Sequence, residues 1–339
     1  MNAMPGVRND SSKMPTPLKP PALRTGDRVG IVAPASYFRR ELFDRGVAAL
    51  RRMGYEPVFL DTIFDRDLYF AGSAARRARE LEAMFARDDI RAILCVRGGY
   101  GANYLLPHVD LDIIRKHPKI FAGYSDVTCL LTWFHDAAGL VTFHGPMITG
   151  DFAREHGVDE MSWQAATAGN SNWELASHQV FGLNPMVPGR AEGVLYGGCL
   201  SILVASFGTP YETQTEGKLL FLEDIGAKPY QIDRMLMQMK FAGKFRDVRG
   251  IVFGEMMDCI QSPDQPYTLQ EIVQRIVGEI NIPIAYGLRS GHVSRENATL
   301  PFGVKAALTV TAETVRLEFL ESAVAARGPA TSGDHGHIG

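Results

Sequence analysis

The first half of the chain alternates short apolar runs with segments of helical spacing, and this alternation limits the fold more than any other feature. The apolar runs that fit strands span residues 27–36, 55–60 and 90–96. Between them, residues 41–53 and 73–87 carry apolar side chains at the spacing of an amphipathic helix. Strands joined through helices form a parallel sheet that is covered on both faces. The sequence therefore predicts a doubly wound α/β domain, with its ligand site beyond the carboxyl ends of the strands.

Residues 119–135 continue this pattern and place a serine where a strand turns into a helix. A short apolar run is followed by the turn Gly123-Tyr124-Ser125-Asp126 and then by a segment with helical spacing. A serine in such a turn lies among free backbone N–H groups at the positive end of a helix dipole, and these would stabilise an oxyanion. The turn resembles the nucleophile elbow of hydrolases but lacks the glycine two positions after the serine. Ser125 is therefore a candidate nucleophile, and an N-cap role is the alternative.

A glycine-rich loop, residues 97–101 (Arg-Gly-Gly-Tyr-Gly), follows the third predicted strand. If that strand neighbours the one before Ser125, the loop lies beside the serine. The Gly98–Gly99 region could then supply one oxyanion donor and the Asp126 N–H the other, because glycine lets a backbone N–H approach a ligand closely. A simple tight turn is the plainer interpretation. A phosphate cradle has little support, because neither GxGxxG nor GxxxxGK[ST] is present.

Composition narrows the class of protein. The chain has 339 residues, a formal net charge of −3, 46% hydrophobic and 22% charged residues, which is typical of a globular protein and predicts no nucleic-acid partner. The four cysteines form no CxxC pair, so we expect neither a zinc site nor disulfides, and a reducing compartment. No apolar run is long enough to span a bilayer. We therefore expect a cytoplasmic protein with no membrane partner, no metal and no cofactor.

The chain divides into two predicted domains between two tails. We expect disordered tails at residues 1–21 and 325–339, because these segments are rich in small and polar residues. Residues 22–165 form the N-terminal α/β domain, and residues 166–190 form a linker with no sustained period. Residues 191–324 form a smaller C-terminal α/β domain, and the active site is expected between the two.

A serine nucleophile needs a base and an acid that orients the base. Two of the nine histidines follow predicted strands, His144 in Phe-His-Gly-Pro and His292 in a loop rich in glycine. His135, on the helix after Ser125, is expected either to face solvent or to lie on the side of the helix. Glu223 ends a buried apolar strand, where a carboxylate is costly unless it is paired. Of these residues, His292 is the candidate base and Glu223 the candidate acid, and His144 is expected to line the site.

Six short motifs occur in one order along the chain, and together they resemble the LD-carboxypeptidase (muramoyltetrapeptide carboxypeptidase) family of serine peptidases. The motifs are Arg-Gly-Gly-Tyr-Gly at 97–101, Gly-Tyr-Ser-Asp at 123–126, Phe-His-Gly-Pro at 143–146, Gly-Gly-Cys-Leu-Ser at 197–201, Leu-Phe-Leu-Glu-Asp at 220–224 and Gly-His…Asn…Pro-Phe-Gly at 291–303. The resemblance covers residues 21–321. Cys199 departs from the pattern, which has asparagine in that turn.

The resemblance implies a catalytic triad of Ser125 as nucleophile, His292 as general base and Glu223 as the acid. It also implies two domains with the site between them and a homodimer. The nucleophile would then come from the first domain and the other two residues from the second, which agrees with the argument from strand ends.

The resemblance also implies an oxyanion hole and a peptide-binding site. The oxyanion donors would be the backbone N–H groups of Gly98, Gly99 and Asp126. We expect Arg97 and Tyr124 to bind the substrate, and Arg97 in particular to pair with a terminal carboxylate through two N–H groups.

The activity implied is hydrolysis of the L,D-peptide bond that releases terminal D-alanine from murein tetrapeptides, with a small peptide as the only partner besides a second copy. A related alternative is a peptidase that resembles the microcin immunity proteins and cleaves peptidyl-nucleotide amides. Proteins of that related type usually carry more residues between the nucleophile and the acid, so the separation of 98 positions between Ser125 and Glu223 resembles the shorter, murein type. A non-enzymatic binding protein is disfavoured because all three catalytic residue types are present. A general α/β-hydrolase esterase would normally show Gly-x-Ser-x-Gly.

Overall fold

A computed structural model of the protein describes residues 17–177, 182–260 and 265–328. The greater part of the tails predicted to be disordered, residues 1–16 and 329–339, lies outside the described residues.

The described chain contains five α-helices and five strands up to residue 167, where apolar runs and helical spacing alternate. The helices are α1 (Arg40–Arg52), α2 (Ala74–Ala86), α3 (Leu111–Lys116), α4 (Thr128–Ala138) and α5 (Glu160–Thr167). The strands are β1 (Arg28–Val32), β2 (Glu56–Val58), β3 (Ile90–Cys95), β4 (Ile120–Gly123) and β5 (Thr142–His144).

The remainder of the described chain contributes nine strands and three α-helices. The strands are β6 (Trp173–Ala176), β7 (Asn184–Val187), β8 (Gly189–Cys199), β9 (Lys218–Glu223), β10 (Gly250–Gly254), β11 (Ile284–Leu288), β12 (Leu300–Phe302), β13 (Lys305–Val310) and β14 (Val315–Phe319). The helices are α6 (Leu200–Ala205), α7 (Pro229–Phe241) and α8 (Leu269–Val277).

The first sheet has six strands in the order β12-β5-β4-β3-β1-β2. Strands β1 to β5 are parallel, as the alternation of strands and helices predicts, and their carboxyl ends lie on one edge. Strand β12 comes from the second half of the chain and pairs antiparallel with β5. The chain between β11 and β12 therefore crosses from one sheet to the other, and this crossing segment contains His292.

The second sheet has eight strands in the order β6-β14-β13-β8-β9-β10-β11-β7. Its centre, β8 to β11, is parallel, and antiparallel strands extend it on both sides. The structure thus confirms a mixed α/β protein built on two sheets. One hydrophobic core surrounds the first sheet and reaches the near face of the second, and another lies between the second sheet and helices α6, α7 and α8.

The structure differs from the predicted domain boundaries at three places. The segment 166–190 contains β6 and β7, the two edge strands of the second sheet, so it is not a plain linker. Leu18 pairs with Leu140, and Pro21 pairs with Ala325. The end of the first predicted tail and the beginning of the second are therefore ordered, because their backbone groups pair with each other and with the first domain.

No helix among the described residues is long and apolar enough to cross a membrane.

Candidate active site

Ser125 lies at the turn between β4 and α4, and its backbone is in the left-handed region with φ of 62°. Residues Ser125–Val127 form a single 3₁₀ turn that leads into the helix. A non-glycine residue in this region is strained, and such residues cluster at functional sites. The turn therefore has the geometry of a nucleophile elbow even without the second glycine. The Ser125 side chain is partly exposed, whereas Tyr124 and Asp126 on either side are buried.

The glycine-rich loop is packed directly against this serine because β3 and β4 are neighbours in the sheet. A Cβ atom at Gly98 would lie 2.7 Å from Ser125 Cβ, 2.9 Å from its Oγ and 3.1 Å from the Asp126 nitrogen. Only glycine leaves this space open. The N–H groups of Gly98 and Gly99 donate to no acceptor among the described residues, so both are free to bind a ligand.

Gly98 and Gly99 face different neighbours. A Cβ atom at Gly99 would lie 2.5 Å from Ser36 Oγ, and its φ of 100° requires glycine. Gly98 therefore lies beside Ser125, whereas Gly99 is packed against Ser36.

Asp126 connects the serine turn to the glycine loop. Its buried Oδ2 accepts a hydrogen bond of 2.7 Å from the Ala102 N–H, one residue after the loop. Burial raises the pKa of Asp126 to about 6, although backbone N–H groups and Arg77 act in the opposite direction. The side chain of Asp126 is thus a brace for the loop, while its own N–H lies beside Ser125 and Gly98.

Glu223 and His292 form a hydrogen-bonded pair. Glu223 is the last residue of β9 and is fully buried, and its Oε2 lies 2.7 Å from His292 Nδ1. The same oxygen accepts a second bond of 3.1 Å from the His292 N–H. The pair fixes the imidazole ring so that its Nε2 is free for other chemistry.

The pair shifts the pKa of both groups. Burial alone would raise the pKa of Glu223, but the charge and hydrogen-bond interactions of the carboxylate, chiefly those with His292, outweigh burial and lower that pKa to about 2. Burial likewise would lower the pKa of His292, but the Glu223 carboxylate outweighs it and raises that pKa. An imidazolium at this position is therefore stabilised, as a general base in acyl transfer requires.

His144 lies on the other side of Glu223. It ends β5, is fully buried, and pairs in the sheet with Gly123, two residues before Ser125. Its Nε2 is 3.9 Å from Glu223 Oε1, and its Nδ1 is 3.0 Å from Ser290 Oγ. His144 therefore lies at the site, as expected, next to Glu223. Its pKa is lowered by burial, against the influence of Glu223.

The loop that carries His292 is held by side chains that sequence reasoning missed. Asn297 binds Gly291 through two hydrogen bonds, of 2.9 Å and 3.1 Å. Arg154 donates to the carbonyl of Val293 at 3.4 Å and to the Asp151 carboxylate at 3.1 Å. Asn297 stands within the last of the six motifs, but Asp151 and Arg154 carry no local signal, because their role depends on contacts between distant segments.

The two residues expected to bind substrate differ in exposure. Arg97 is exposed at the start of the glycine loop and has no hydrogen bond or ion pair among the described residues. Tyr124 is only 7% exposed, and its ring meets the His292 ring edge-on at 5.1 Å. The geometry favours a packing role for Tyr124 and leaves Arg97 available to a ligand.

Ser125, Glu223 and His292 lie in the same region of the structure, but no hydrogen bond connects Ser125 to the Glu223–His292 pair. Tyr124, next to Ser125, contacts His292, yet Ser125 Oγ makes no hydrogen bond to the imidazole. Catalytic hydrogen bonds are often long in ligand-free enzymes and tighten when substrate binds. Among the described residues, no group of three or more His, Cys, Asp or Glu side chains is arranged to hold a metal ion.

Sequence comparison defines the class of protein to which this site belongs. The chain matches the LD-carboxypeptidase N-terminal domain over residues 29–145 and the LD-carboxypeptidase C-terminal domain over residues 192–308. The two matches together span more than half of the chain. The protein therefore belongs to the LD-carboxypeptidase family, a family of serine peptidases.

Individual relatives agree with this membership over nearly their whole length. A probable murein peptide carboxypeptidase of Bacillus subtilis (strain 168) is 38% identical over 303 residues, which are 88% of this chain and 94% of that protein. The microcin C7 self-immunity protein MccF of Escherichia coli is 29% identical over 324 residues, covering 86% and 93%. The crystal structure of muramoyltetrapeptide carboxypeptidase from Oxalobacter formigenes is similar with a TM-score of 0.78 and 27% identity, covering 87% and 99%. These findings confirm the family and the fold class that the sequence predicts.

Proposed function

We propose that the protein is a serine LD-carboxypeptidase that releases terminal D-alanine from murein tetrapeptides, with Ser125, His292 and Glu223 as its catalytic triad. The observation that supports this most directly is the Glu223–His292 pair at 2.7 Å beside a serine held in a strained left-handed turn. The names of the Bacillus and Oxalobacter relatives support the substrate class.

In the proposed reaction the Ser125 hydroxyl attacks the carbonyl carbon of the last peptide bond. His292 Nε2 takes the hydroxyl proton as the Oγ–C bond forms, and the carbonyl electron pair moves onto oxygen. The N–H groups of Gly98 and Asp126 stabilise this oxyanion. The C–N bond then breaks, and the amine of D-alanine leaves with the proton from His292. Water hydrolyses the resulting ester by the same steps and regenerates the hydroxyl.

Recognition of the free carboxylate is the second part of the proposal, and it depends on Arg97. The guanidinium is exposed and has no protein partner among the described residues. Arg97 directly precedes Gly98, the loop residue that lies against Ser125. A guanidinium can bind a carboxylate with two parallel N–H bonds. We expect Arg97→Ala to raise KM about tenfold or more with a small change in kcat, and Arg97→Lys to recover part of the loss. Arg39→Ala, an exposed arginine beside Glu41, is the matched control. An unchanged KM in Arg97→Ala would remove Arg97 from this role.

The decisive experiment compares two tetrapeptides that differ only in the configuration of the last alanine. We expect the protein to release alanine from the peptide that ends in D-alanine and not from the one that ends in L-alanine. Ser125→Ala should release neither and should no longer react with a fluorophosphonate serine probe. Labelling of Ser125 without release from either peptide would contradict the murein assignment but not the serine hydrolase chemistry.

The second candidate is cleavage of peptidyl-nucleotide amides, which the similarity to MccF favours. An aminoacyl sulfamoyl nucleoside, offered beside the tetrapeptide, separates the two substrates directly. The homodimer also stays a prediction, and light scattering during gel filtration tests it.

A further inference from the structure

Two buried polar atoms at the rear of the site face each other with no partner. His144 Nε2 and Glu223 Oε1 are 3.9 Å apart, both residues are fully buried, and neither atom has a hydrogen-bond partner among the described residues. A buried polar atom without a partner destabilises the folded protein, so such an atom calls for a specific explanation.

The position of the protons follows from the neighbours of His144. Ser290 Oγ lies 2.8 Å from the carbonyl oxygen of Ala298, which can only accept, so the hydroxyl donates its single proton there. The 3.0 Å contact between Ser290 Oγ and His144 Nδ1 must then use a proton on Nδ1. A neutral His144 therefore carries no proton on Nε2. Burial favours the neutral ring, because it lowers the pKa of His144.

The Glu223 carboxylate is consequently asymmetric. Oε2 accepts two hydrogen bonds, both from His292, whereas Oε1 accepts none. A donor on Oε1 would draw negative charge away from Oε2 and weaken its effect on the imidazole. When Oε1 accepts no hydrogen bond, the full negative charge of the Glu223 carboxylate acts on His292, which makes His292 a stronger base.

We propose that His144 is a positioning residue: the Ser290–His144 pair keeps a hydrogen-bond donor away from Oε1, so that the carboxylate of Glu223 acts on His292 alone. This inference rests on the proposed triad and adds to it a residue that sets the strength of the base without touching substrate.

The surroundings of the two imidazoles contain few other charges. His144 is packed among the rings of Tyr124, Phe221 and Phe302, and the titratable groups that act on it are Glu223 and His292. Besides Glu223, the charged groups that act on His292 are Asp224 and Asp151. Neither of these aspartates changes in the variants below.

Two amide substitutions at residue 144 separate the roles of the two ring nitrogens. His144→Gln places an amide near the Nε2 position, where its NH₂ group donates to Oε1. His144→Asn places an amide near the Nδ1 position, where it retains the bond to Ser290 and leaves Oε1 bare. We expect His144→Gln to move the acid limb of the kcat/KM profile to lower pH by about half a unit or more and to lower its plateau roughly tenfold. His144→Asn should leave the acid limb in place. Thermal melting shows whether both variants are folded.

Nuclear magnetic resonance tests the same inference without substrate. Imidazole ¹⁵N shifts distinguish a protonated from an unprotonated ring nitrogen, and at neutral pH we expect a proton on Nδ1 of His144 and none on Nε2. In Ser290→Ala the ring loses its acceptor at Nδ1, so the proton should move to Nε2 and the titration of His292 should shift to lower pH.

A proton on Nε2 of His144 in the unaltered protein would overturn the proposal, and so would a His292 titration that is the same in folded His144→Gln as in the unaltered protein. Because the titration needs no turnover, a protein that cleaves no tetrapeptide but shows these shifts would refute the proposed substrate and retain the role of His144.

Discussion

Replacement of Gly98 by alanine tests whether the glycine loop forms part of the reaction site. The backbone of Gly98 lies outside the left-handed region, so alanine fits its conformation and the effect comes from the added methyl group alone. That methyl carbon would lie 2.7 Å from Ser125 Cβ. Non-bonded carbon atoms prefer about 3.5–4.0 Å, so either the loop or the serine turn must move by about 1 Å.

This displacement sets the expected size of the effect. A misplacement of about 1 Å at a reacting group can cost about 100-fold in rate, which corresponds to about 2.7 kcal/mol in activation free energy. The methyl group would also approach the Asp126 nitrogen to 3.1 Å, where the oxyanion is expected to bind. Overpacking by the methyl group should also lower the free energy of unfolding by about 1–3 kcal/mol. This loss of stability should affect activity less than the displacement does.

The assay is release of D-alanine from the tetrapeptide, measured together with thermal melting. Gly208→Ala is the control, because that glycine is exposed, has nothing within 4 Å of an added Cβ, and bears only the strain of its φ of 75°. We expect the control to lose some stability and no activity. A folded Gly98→Ala protein with the kcat/KM of the unaltered protein would refute the proposed arrangement of loop and serine.

Three further predictions concern charge. Since Glu223 raises the pKa of His292 and the base acts only when neutral, kcat/KM should rise with pH through a midpoint above 6.5, and Glu223→Gln should move that midpoint down and reduce kcat about 10⁴-fold. The pKa of Asp126 is about 6 against an ordinary 3.8, so the folded state binds this proton more tightly than the unfolded state does. The free energy of unfolding should therefore fall as pH rises between these two values. Asp126→Asn should remove that pH dependence, as measured by urea titrations. Asp136→Ala leaves Lys218 buried and unpaired and should cost about 3–5 kcal/mol in the free energy of unfolding by denaturant, whereas the double change with Lys218→Met should recover most of it.

The sequence was sufficient for the parts of the fold that depend on local pattern. Strands β1, β3 and β4 are buried on both faces, so each reads as an apolar run, and the helices between them show their buried faces at helical spacing. The position of Ser125 follows from the same pattern, since the turn stands between an apolar run and a helix. The order of the six motifs, through the family resemblance, added Glu223 as the predicted acid and His292 as the predicted base.

What sequence reasoning missed depends on pairing between distant segments. Strands β6, β7 and β12 have only three or four residues each, and their partners lie far away in the chain, so no local period marks them. Of the two positions expected for His135, exposure to solvent is wrong: the ring is buried against Gly303, which comes from the other half of the chain. A histidine at the end of a helix gives no local sign of such a neighbour.

The residues of the site come from both halves of the chain, and the contacts at the two ends of α4 show how they are held. Near its start, Thr128 Oγ1 accepts a hydrogen bond of 3.1 Å from the Cys199 N–H, and Cys199 stands beside Glu223 in the register of β8 and β9. Near its end, Asp136 pairs with Lys218, the first residue of β9, at 3.1 Å. The Cys199 contact uses the backbone, so the departure from asparagine does not affect it. Because α4 is bound to β8 near its start and to β9 near its end, we expect the Ser125–His292 bond to form by side-chain rotation around bound substrate rather than by closure of the two domains.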